Sequence, residues 1–191
     1  GGPDTTYSVK FIDKKTNISI FKTEIGRNCW ARSNVTYYVD WRVEIQDNNS
    51  DFTYTYDLNL HNARVYIALD SKSLGDTIAW FPYAEEFRKT HNCQVICSTF
   101  WNEFFQDEYP HITFVKPGET VHNLAGMYAI GLFYVDQKFD TNKHPSNPIH
   151  IGLQQLSSDI LGLPYTEVRP KIKQPTVDNT DSKLITIAIH S

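Results

Sequence analysis

The chain has 191 residues, of which 40% are hydrophobic and 14% aromatic, and its formal net charge is -4. This composition can supply a core for one or two globular domains and excludes intrinsic disorder, which needs few apolar residues and a large net charge. There is no basic run for nucleic acid or an anionic membrane, and no apolar stretch approaches the roughly 20 residues of a membrane span, so we expect neither partner.

The first part of the chain, residues 1–62, is predicted to form a small antiparallel β-rich domain. Runs that alternate apolar and polar side chains are separated by short polar turns, a pattern typical of strands in a small barrel or sandwich. The predicted strands cover residues 7–12, 18–25, 35–45 and 52–60, with turns at 13–17 and 47–50.

Residues 63–163 are predicted to form a Rossmann-like α/β domain. The apolar run 65–69 is typical of a buried parallel strand, and residues 76–90 carry the apolar stripe of a helix that Pro82 should kink or offset. Alternation of strand and helix predicts a mostly parallel sheet. The further predicted elements are strands at 94–98 and 112–115, a short helix at 101–107, an apolar segment of ambiguous period at 120–135, a long loop at 138–149 and a helix at 151–161.

The amino-acid composition changes again towards the end of the chain. Residues 164–183 are rich in proline and charge, which is typical of a linker. Residues 184–189 then form an apolar strand pattern, and alone such a strand would leave an unpaired edge. We expect residues 184–191 to be the first strand of a truncated further domain. The alternative is that this strand adds to the sheet of the present chain.

The loop after the first parallel strand carries the best candidate for chemistry. Ligands of doubly wound sheets bind beyond the carboxyl ends of the strands, where the segment from Ser71 to Asp76 is expected. Asp76 would lie in the first turn of a helix, where the macrodipole favours a carboxylate, and it could take a proton from an acceptor hydroxyl. The alternative is a helix cap, because Ser73 and Asp76 are three residues apart.

Other residues give weaker signals. No glycine-rich phosphate-binding loop occurs in the sequence. His122 and Asn123 follow the third predicted parallel strand and could line the same cleft, or could lie in a loop without a role.

The three cysteines give no sign of a disulfide framework or a metal site. Cys93 and Cys97 flank a strand four residues apart without further evident ligands, so buried structural thiols are the favoured interpretation. With Cys29, their odd and small number favours a reducing compartment.

The segment 65–83, VYIALDSKSLGDTIAWFPY, resembles the bacterial autotransporter heptosyltransferases. These are protein O-glycosyltransferases related to the lipopolysaccharide heptosyltransferases. The resemblance is close from about residue 61 to the end of the chain and looser over the β-rich start. Further matching stretches are 85–88, 91–93, 95–100, 158–163 and 187–191.

The resemblance implies a GT-B architecture of two Rossmann-like domains facing across a cleft, with this chain as the N-terminal half. The first Rossmann-like domain mainly serves the acceptor, and the Leu-Gly-Asp segment makes Asp76 the catalytic base. The implied reaction is inverting transfer of heptose from ADP-heptose to serine hydroxyls of an autotransporter adhesin, in the cytoplasm before export. The residues expected on the acceptor side are Lys72, Ser73, Leu74, Gly75, Thr77, Trp80, His122 and Asn123.

The same resemblance implies large homo-oligomers, a cysteine-rich iron site and a donor pocket in the second Rossmann-like domain. The three cysteines here do not match that iron motif. We therefore expect no cofactor or metal in this chain, and little or no transferase activity from it alone. Two alternatives stay open: a non-catalytic binding or oligomerisation module, and a related transferase that uses another nucleotide sugar.

Overall fold

The β-rich start of the chain forms one antiparallel sheet in the computed structural model, which describes residues 5–173. The strands pair in the order second, first, third, fourth, so the second and fourth are open edges. The expected barrel or sandwich is therefore wrong for the described residues, because a single open sheet neither closes on itself nor supplies a second layer. The four strands are β1 (Thr6–Asp13), β2 (Ile18–Gly26), β3 (Trp41–Asp47) and β4 (Thr53–Asp57).

Strand alternation collects large apolar side chains on one face of this first sheet. Phe11 on β1 lies opposite Phe21 on β2 and Val43 on β3, and Val43 lies opposite Tyr56 on β4. The ring centroids of Phe11 and Phe21 are 5.9 Å apart, and Phe11 meets Trp41 edge-on at 6.0 Å. These cross-strand contacts fix the register, because a slip of one residue would turn the aromatic rings to the other face.

The second sheet is parallel, and this part of the fold prediction is confirmed. In chain order its strands lie third, second, first, fourth, as in the first half of doubly wound nucleotide-binding sheets. In such sheets a crevice forms between the first and fourth strands, where the order reverses. The strands are β5 (Arg64–Leu69), β6 (Gln94–Ser98), β7 (Thr113–Val115) and β8 (Gly126–Ile130).

The remaining elements cover this sheet or project from it. A two-stranded antiparallel hairpin lies within the segments predicted as an apolar run and a long loop. Between β6 and β7, the helix predicted over residues 101–107 is only a short 3₁₀ helix. These elements are α1 (Leu74–Trp80), α2 (Pro82–His91), the 3₁₀ helix Asn102–Phe104, β9 (Tyr134–Val135), β10 (Lys138–Phe139), the 3₁₀ helix Pro148–His150 and α3 (Leu153–Ile160).

Pro82 divides the predicted helix 76–90 into α1 and α2. Proline fits the first turn of a helix, where its missing N–H would have no helical partner, so α2 can begin at this residue. Phe81 ends α1 and precedes α2, and its backbone N–H donates to the Thr77 carbonyl. The expected disturbance at proline is thus a one-residue interruption at Phe81, whose backbone stays in the right-handed helical region.

Phe81 also lies at the centre of the α/β core. Its side chain is fully buried and stacks on Phe105 with centroids 4.1 Å apart. Phe114 of β7 stacks at 5.6 Å, and Tyr109 meets the same ring edge-on at 4.7 Å. One aromatic residue therefore packs the junction of α1 and α2 against β7 and against the chain that precedes it.

Tyr38, between β2 and β3, anchors the first part of the chain on the α/β unit. Its backbone N–H donates to the Ile160 carbonyl at 2.8 Å, and its ring lies 4.8 Å from that of His91. Gly162 has a φ of 65°, and a Cβ atom there would collide with the Tyr38 ring, so this position requires glycine. The predicted boundary between residues 62 and 63 is thus crossed by close contacts.

Residues 164–173, the beginning of the predicted linker, are hydrogen-bonded to the α/β unit. The Tyr83 hydroxyl donates to the Thr166 carbonyl at 2.8 Å. The Lys171 N–H donates to the Tyr109 hydroxyl at 2.8 Å, and the Lys173 N–H donates to the Phe104 carbonyl at 3.0 Å. The predicted linker residues 174–183 and the predicted strand 184–191 lie outside the described residues.

Candidate active site

Asp76 lies in the first turn of α1, directly beyond the carboxyl end of β5, where the sequence places it. Its half-buried carboxylate accepts a hydrogen bond from the Ser71 hydroxyl, with 2.7 Å between Ser71 Oγ and Asp76 Oδ2. The Asp76 N–H donates to Ser73 Oγ at 3.4 Å, so Ser73 is the N-cap of the helix. Ser73 therefore caps the helix, as the alternative predicted. The Asp76 carboxylate still lies at the carboxyl edge of the sheet.

Lys72 is exposed in the same loop and is braced by the chain that follows β6. The Trp101 indole Nε1–H donates to the Lys72 carbonyl at 3.0 Å. The Lys72 ammonium lies 5.6 Å from the centroid of the Phe100 ring, within the range of a cation–π contact. The chain after β6 thus holds the loop that carries Ser71 and Ser73, which follows the neighbouring strand β5.

The other predicted residues of this segment divide between surface and core. Leu74 is half-buried and Gly75 exposed at the start of α1. A Cβ on Gly75 would meet only Ser73 Oγ, at an ordinary 3.8 Å, so the turn itself does not demand glycine. Thr77 and Trp80 are 0% and 1% exposed, so the expectation that their side chains contact an acceptor is wrong in this conformation.

His122 and Asn123 lie at the opposite edge of the sheet from Asp76. The His122 carbonyl accepts from Arg64 Nη1 at 2.6 Å, and the Ala125 N–H donates to the Arg64 carbonyl, at the amino end of β5. Asp76 follows the carboxyl end of that strand, and six residues of strand span roughly 20 Å. The prediction that His122 and Asn123 line the same cleft is therefore wrong, because the chain returns to the amino edge before β8 begins.

A groove of about 480 Å³, formed by the chain after β6 and β7, was not predicted from the sequence. Phe100, which contacts Lys72, forms part of its wall. Asn102 joins the two strand ends, since its Oδ1 accepts from the Thr99 N–H at 3.0 Å and its Nδ2 donates to the Val115 carbonyl at 2.7 Å. The only indication of this groove in the sequence was the position of its residues, which also follow the carboxyl ends of parallel strands.

The strand order reverses between β5 and β8, and here the two chain segments approach closely. The Asp70 N–H donates to the Ile130 carbonyl at 2.8 Å. A Cβ on Gly131 would lie 2.8 Å from the Phe133 ring and 3.3 Å from Asp70 Cβ. Glycine thus allows the close approach of the segments that follow β5 and β8.

The described residues fit no metal centre. No group of three or more His, Cys, Asp and Glu side chains is arranged to hold a metal ion in residues 5–173. Cys93 and Cys97 are buried, which raises the pKa of Cys93 to about 11 and that of Cys97 further, and so disfavours the thiolate that binds metals. Cys29 is exposed at a distant turn, so the implied iron site has no counterpart in this part of the chain.

Within the range 5–173, the helices are all too short or too polar to cross a bilayer.

A cavity of about 720 Å³ lies beside the β9–β10 hairpin, and Asp76 is not among the residues that line it. His144 is buried in its wall, and His144 Nε2 accepts from the Phe133 N–H at 3.0 Å. This bond requires an unprotonated Nε2, which fixes the neutral tautomer with hydrogen on Nδ1. Burial lowers the pKa of His144, while the charge of Asp140 acts in the opposite direction.

Acidification should destabilise the chain through the buried His144 and the half-buried His91. Burial lowers the folded-state pKa of both His144 and His91, so the unfolded chain binds protons that the folded chain does not. Their contribution to stability is present above the unfolded pKa of about 6.5 and is lost as pH falls below it. Urea unfolding at about pH 7.5 and about pH 5.5 measures the difference, which should be smaller in the His144→Phe variant. An equal pH dependence in both proteins would contradict the role of His144.

Known proteins similar to this chain belong to the family that the sequence suggested. No family model matches the chain. The chain is 29% identical over 180 residues to the autotransporter heptosyltransferase BAHTCr of Citrobacter rodentium, a match covering 91% of this chain and 43% of the relative. It is 29% identical over 195 residues to the Escherichia coli autotransporter heptosyltransferase Aah, covering 99% and 48%. A relative in Burkholderia thailandensis, 27% identical over 90% of this chain and 40% of its own length, is the inactive autotransporter heptosyltransferase BimC.

Solved structures show the same fold. The iron-containing dodecameric glycosyltransferase TibC from enterotoxigenic E. coli superposes with a TM-score of 0.80 at 24% identity, over 97% of this chain and 47% of TibC. Its complex with ADP-D-beta-D-heptose superposes with a TM-score of 0.79 at 23% identity, over the same shares. The chain thus spans somewhat under half the length of the proteins it matches. Its sequence is similar to those of the autotransporter heptosyltransferases and matches their N-terminal half.

Proposed function

We propose that this chain is the acceptor-side part of a heptosyltransferase in which Asp76 is the general base. The observation that carries the proposal is the position of the Asp76 carboxylate, half-exposed at the carboxyl edge of a parallel sheet, with one oxygen bound by Ser71. Kinship to autotransporter heptosyltransferases along nearly the whole chain supports the choice of reaction.

The proposed reaction is a single displacement at the anomeric carbon of heptose. Asp76 takes the proton of an acceptor serine hydroxyl as the serine oxygen forms a bond to that carbon. The bond from the anomeric carbon to the phosphate oxygen of ADP-heptose breaks, and ADP leaves with the electron pair. Attack from the face opposite the leaving group inverts the configuration.

The proposal divides the work between two parts of an enzyme. Because the chain spans under half of its relatives, we place ADP-heptose binding and any iron site in a part that this sequence does not include. The described residues supply the base and the groove beside Phe100 for the acceptor. An autotransporter adhesin as acceptor, assembly into a homo-oligomer and a cytoplasmic location belong to the same proposal.

A second function has one specific observation in its favour. The similar protein BimC is an inactive autotransporter heptosyltransferase, so a related sequence also occurs in a protein without heptosyltransferase activity. In that case the chain would be a binding or assembly module, and Asp76 would have only a structural role. The exposed Tyr54 and Tyr56 on β4 would offer contact surface for a partner.

Calorimetry and a transfer assay test the division of labour and the choice of donor. The 191-residue chain and a longer protein that contains it would each be titrated with ADP-heptose and with other nucleotide sugars. We expect binding and transfer to serine by the longer protein only, with ADP-heptose as the preferred donor. Transfer by the 191-residue chain alone would refute the division of labour. Preference for another sugar would favour the related transferase.

A further inference from the structure

The Ser71 hydroxyl occupies a fixed place in a short chain of hydrogen bonds that ends on Asp76. Ser71 Oγ accepts from the Ser73 N–H at 3.0 Å and donates to Asp76 Oδ2 at 2.7 Å. A hydroxyl has a single hydrogen to donate, so the first bond leaves that hydrogen free to point at the carboxylate. The 2.7 Å separation is in the short range of hydrogen bonds between a hydroxyl and a charged oxygen.

The two oxygens of Asp76 therefore differ. Oδ2 is occupied by Ser71, whereas no hydrogen bond from residues 5–173 reaches Oδ1. The loop itself is held from the neighbouring strand end, where Trp101 binds the Lys72 carbonyl. A carboxylate fixed through one oxygen on a braced loop presents its other oxygen in a defined direction.

We propose that Ser71 is a positioning residue that orients Asp76 so that Oδ1 receives the proton of the acceptor hydroxyl. This inference rests on the proposed function of Asp76. Ser71 contacts neither sugar nor acceptor in this role. It contributes by limiting rotation of the carboxylate, because a base that is misplaced by a fraction of an ångström loses rate without losing substrate affinity.

A purely structural role for Ser71 predicts different behaviour. The bond from the Ser73 N–H also supports the turn before α1, so loss of the hydroxyl could loosen the loop. Loosening would weaken acceptor binding and lower thermal stability, whether or not Asp76 is a base. A positioning role instead changes kcat, leaves KM unchanged and depends on the Asp76 carboxylate.

Threonine and valine at position 71 form a matched pair, since they have nearly the same shape and differ in the hydroxyl. In the longer heptosyltransferase that the proposed function requires, we expect Ser71→Thr to keep kcat within about twofold of the parent enzyme. Ser71→Val should lower kcat roughly tenfold relative to Ser71→Thr, with the acceptor KM unchanged, as expected for a lost hydrogen bond to a charged group. In the Asp76→Asn background the two variants should have the same residual rate.

The outcomes separate this inference from the proposed function. Retention of the parent rate by Asp76→Asn refutes the base, and with it any role of Ser71 through the base. If Asp76→Asn loses the rate while the Thr and Val variants remain equal, only the positioning role is overturned. The positioning role is also overturned if Ser71→Val acts through KM, or if its rate loss persists in the Asp76→Asn background.

Discussion

Replacing Asp76 by asparagine should lower heptose transfer by about three orders of magnitude, because the amide cannot take the proton of the attacking hydroxyl. Asparagine has nearly the same shape, and its side-chain oxygen can still accept the hydrogen bond from Ser71. The start of α1 is therefore retained while the basic oxygen is lost. The measurement is kcat for transfer from ADP-heptose to a serine-containing acceptor, made on the longer protein.

Asp51→Asn is the matched control for this experiment. Asp51 is exposed in the turn between β3 and β4, far along the chain from the candidate site, so the same chemical change there should leave kcat unaltered. Equal activity of the Asp76→Asn enzyme and the control would identify the carboxylate as part of a helix start only. That result would favour the non-catalytic module.

Removing the Phe81 side chain should destabilise the 191-residue chain by about 4 kcal/mol, near the upper end of single substitutions. Phe81→Ala leaves a cavity where Phe105, Phe114 and Tyr109 now pack on one ring. The cavity lies at the junction of two helices, where the short α1 and α2 have little capacity to close it. Urea denaturation followed by circular dichroism measures the loss.

Phe52→Ala supplies the comparison for this stability prediction. Phe52 is 61% exposed at the open edge of the first sheet, so its removal should cost about 1 kcal/mol or less. If the two variants lose similar stability, the junction at Phe81 is not the centre of the core. A change in the denaturant slope for Phe81→Ala alone would indicate a less compact denatured or native state.

The sequence predicted the site best where the signal was local. The sequence shows a buried apolar strand, then a polar loop and an amphipathic helix, and this order placed Asp76 at the carboxyl edge of a parallel sheet. Strand and helix periods can be recognised over a few residues. The sequence placed Ser71 in the same loop but did not predict its contact with Asp76. Its hydrogen bond to Asp76 depends on the path of the chain between them, which no periodicity encodes.

The incorrect predictions all concern features that depend on long-range packing. His122 and Asn123 were placed by their order after a strand, but the chain crosses to the other edge of the sheet before β8, and Arg64 holds it there. Trp80 was predicted to contact the acceptor because it lies within the matching motif, yet its side chain on α1 is buried in the core. The first sheet was expected to close because short strands are compatible with a barrel, and strand order is a property of pairing rather than of any one strand.

The hydrogen bond from the Lys173 N–H to the Phe104 carbonyl fixes where the described part of the chain ends. Phe104 belongs to the short helix after β6, which lies at the carboxyl edge of the sheet that Asp76 also borders. One backbone hydrogen bond thus confines Lys173, the last described residue, to the edge of the sheet that carries the proposed base.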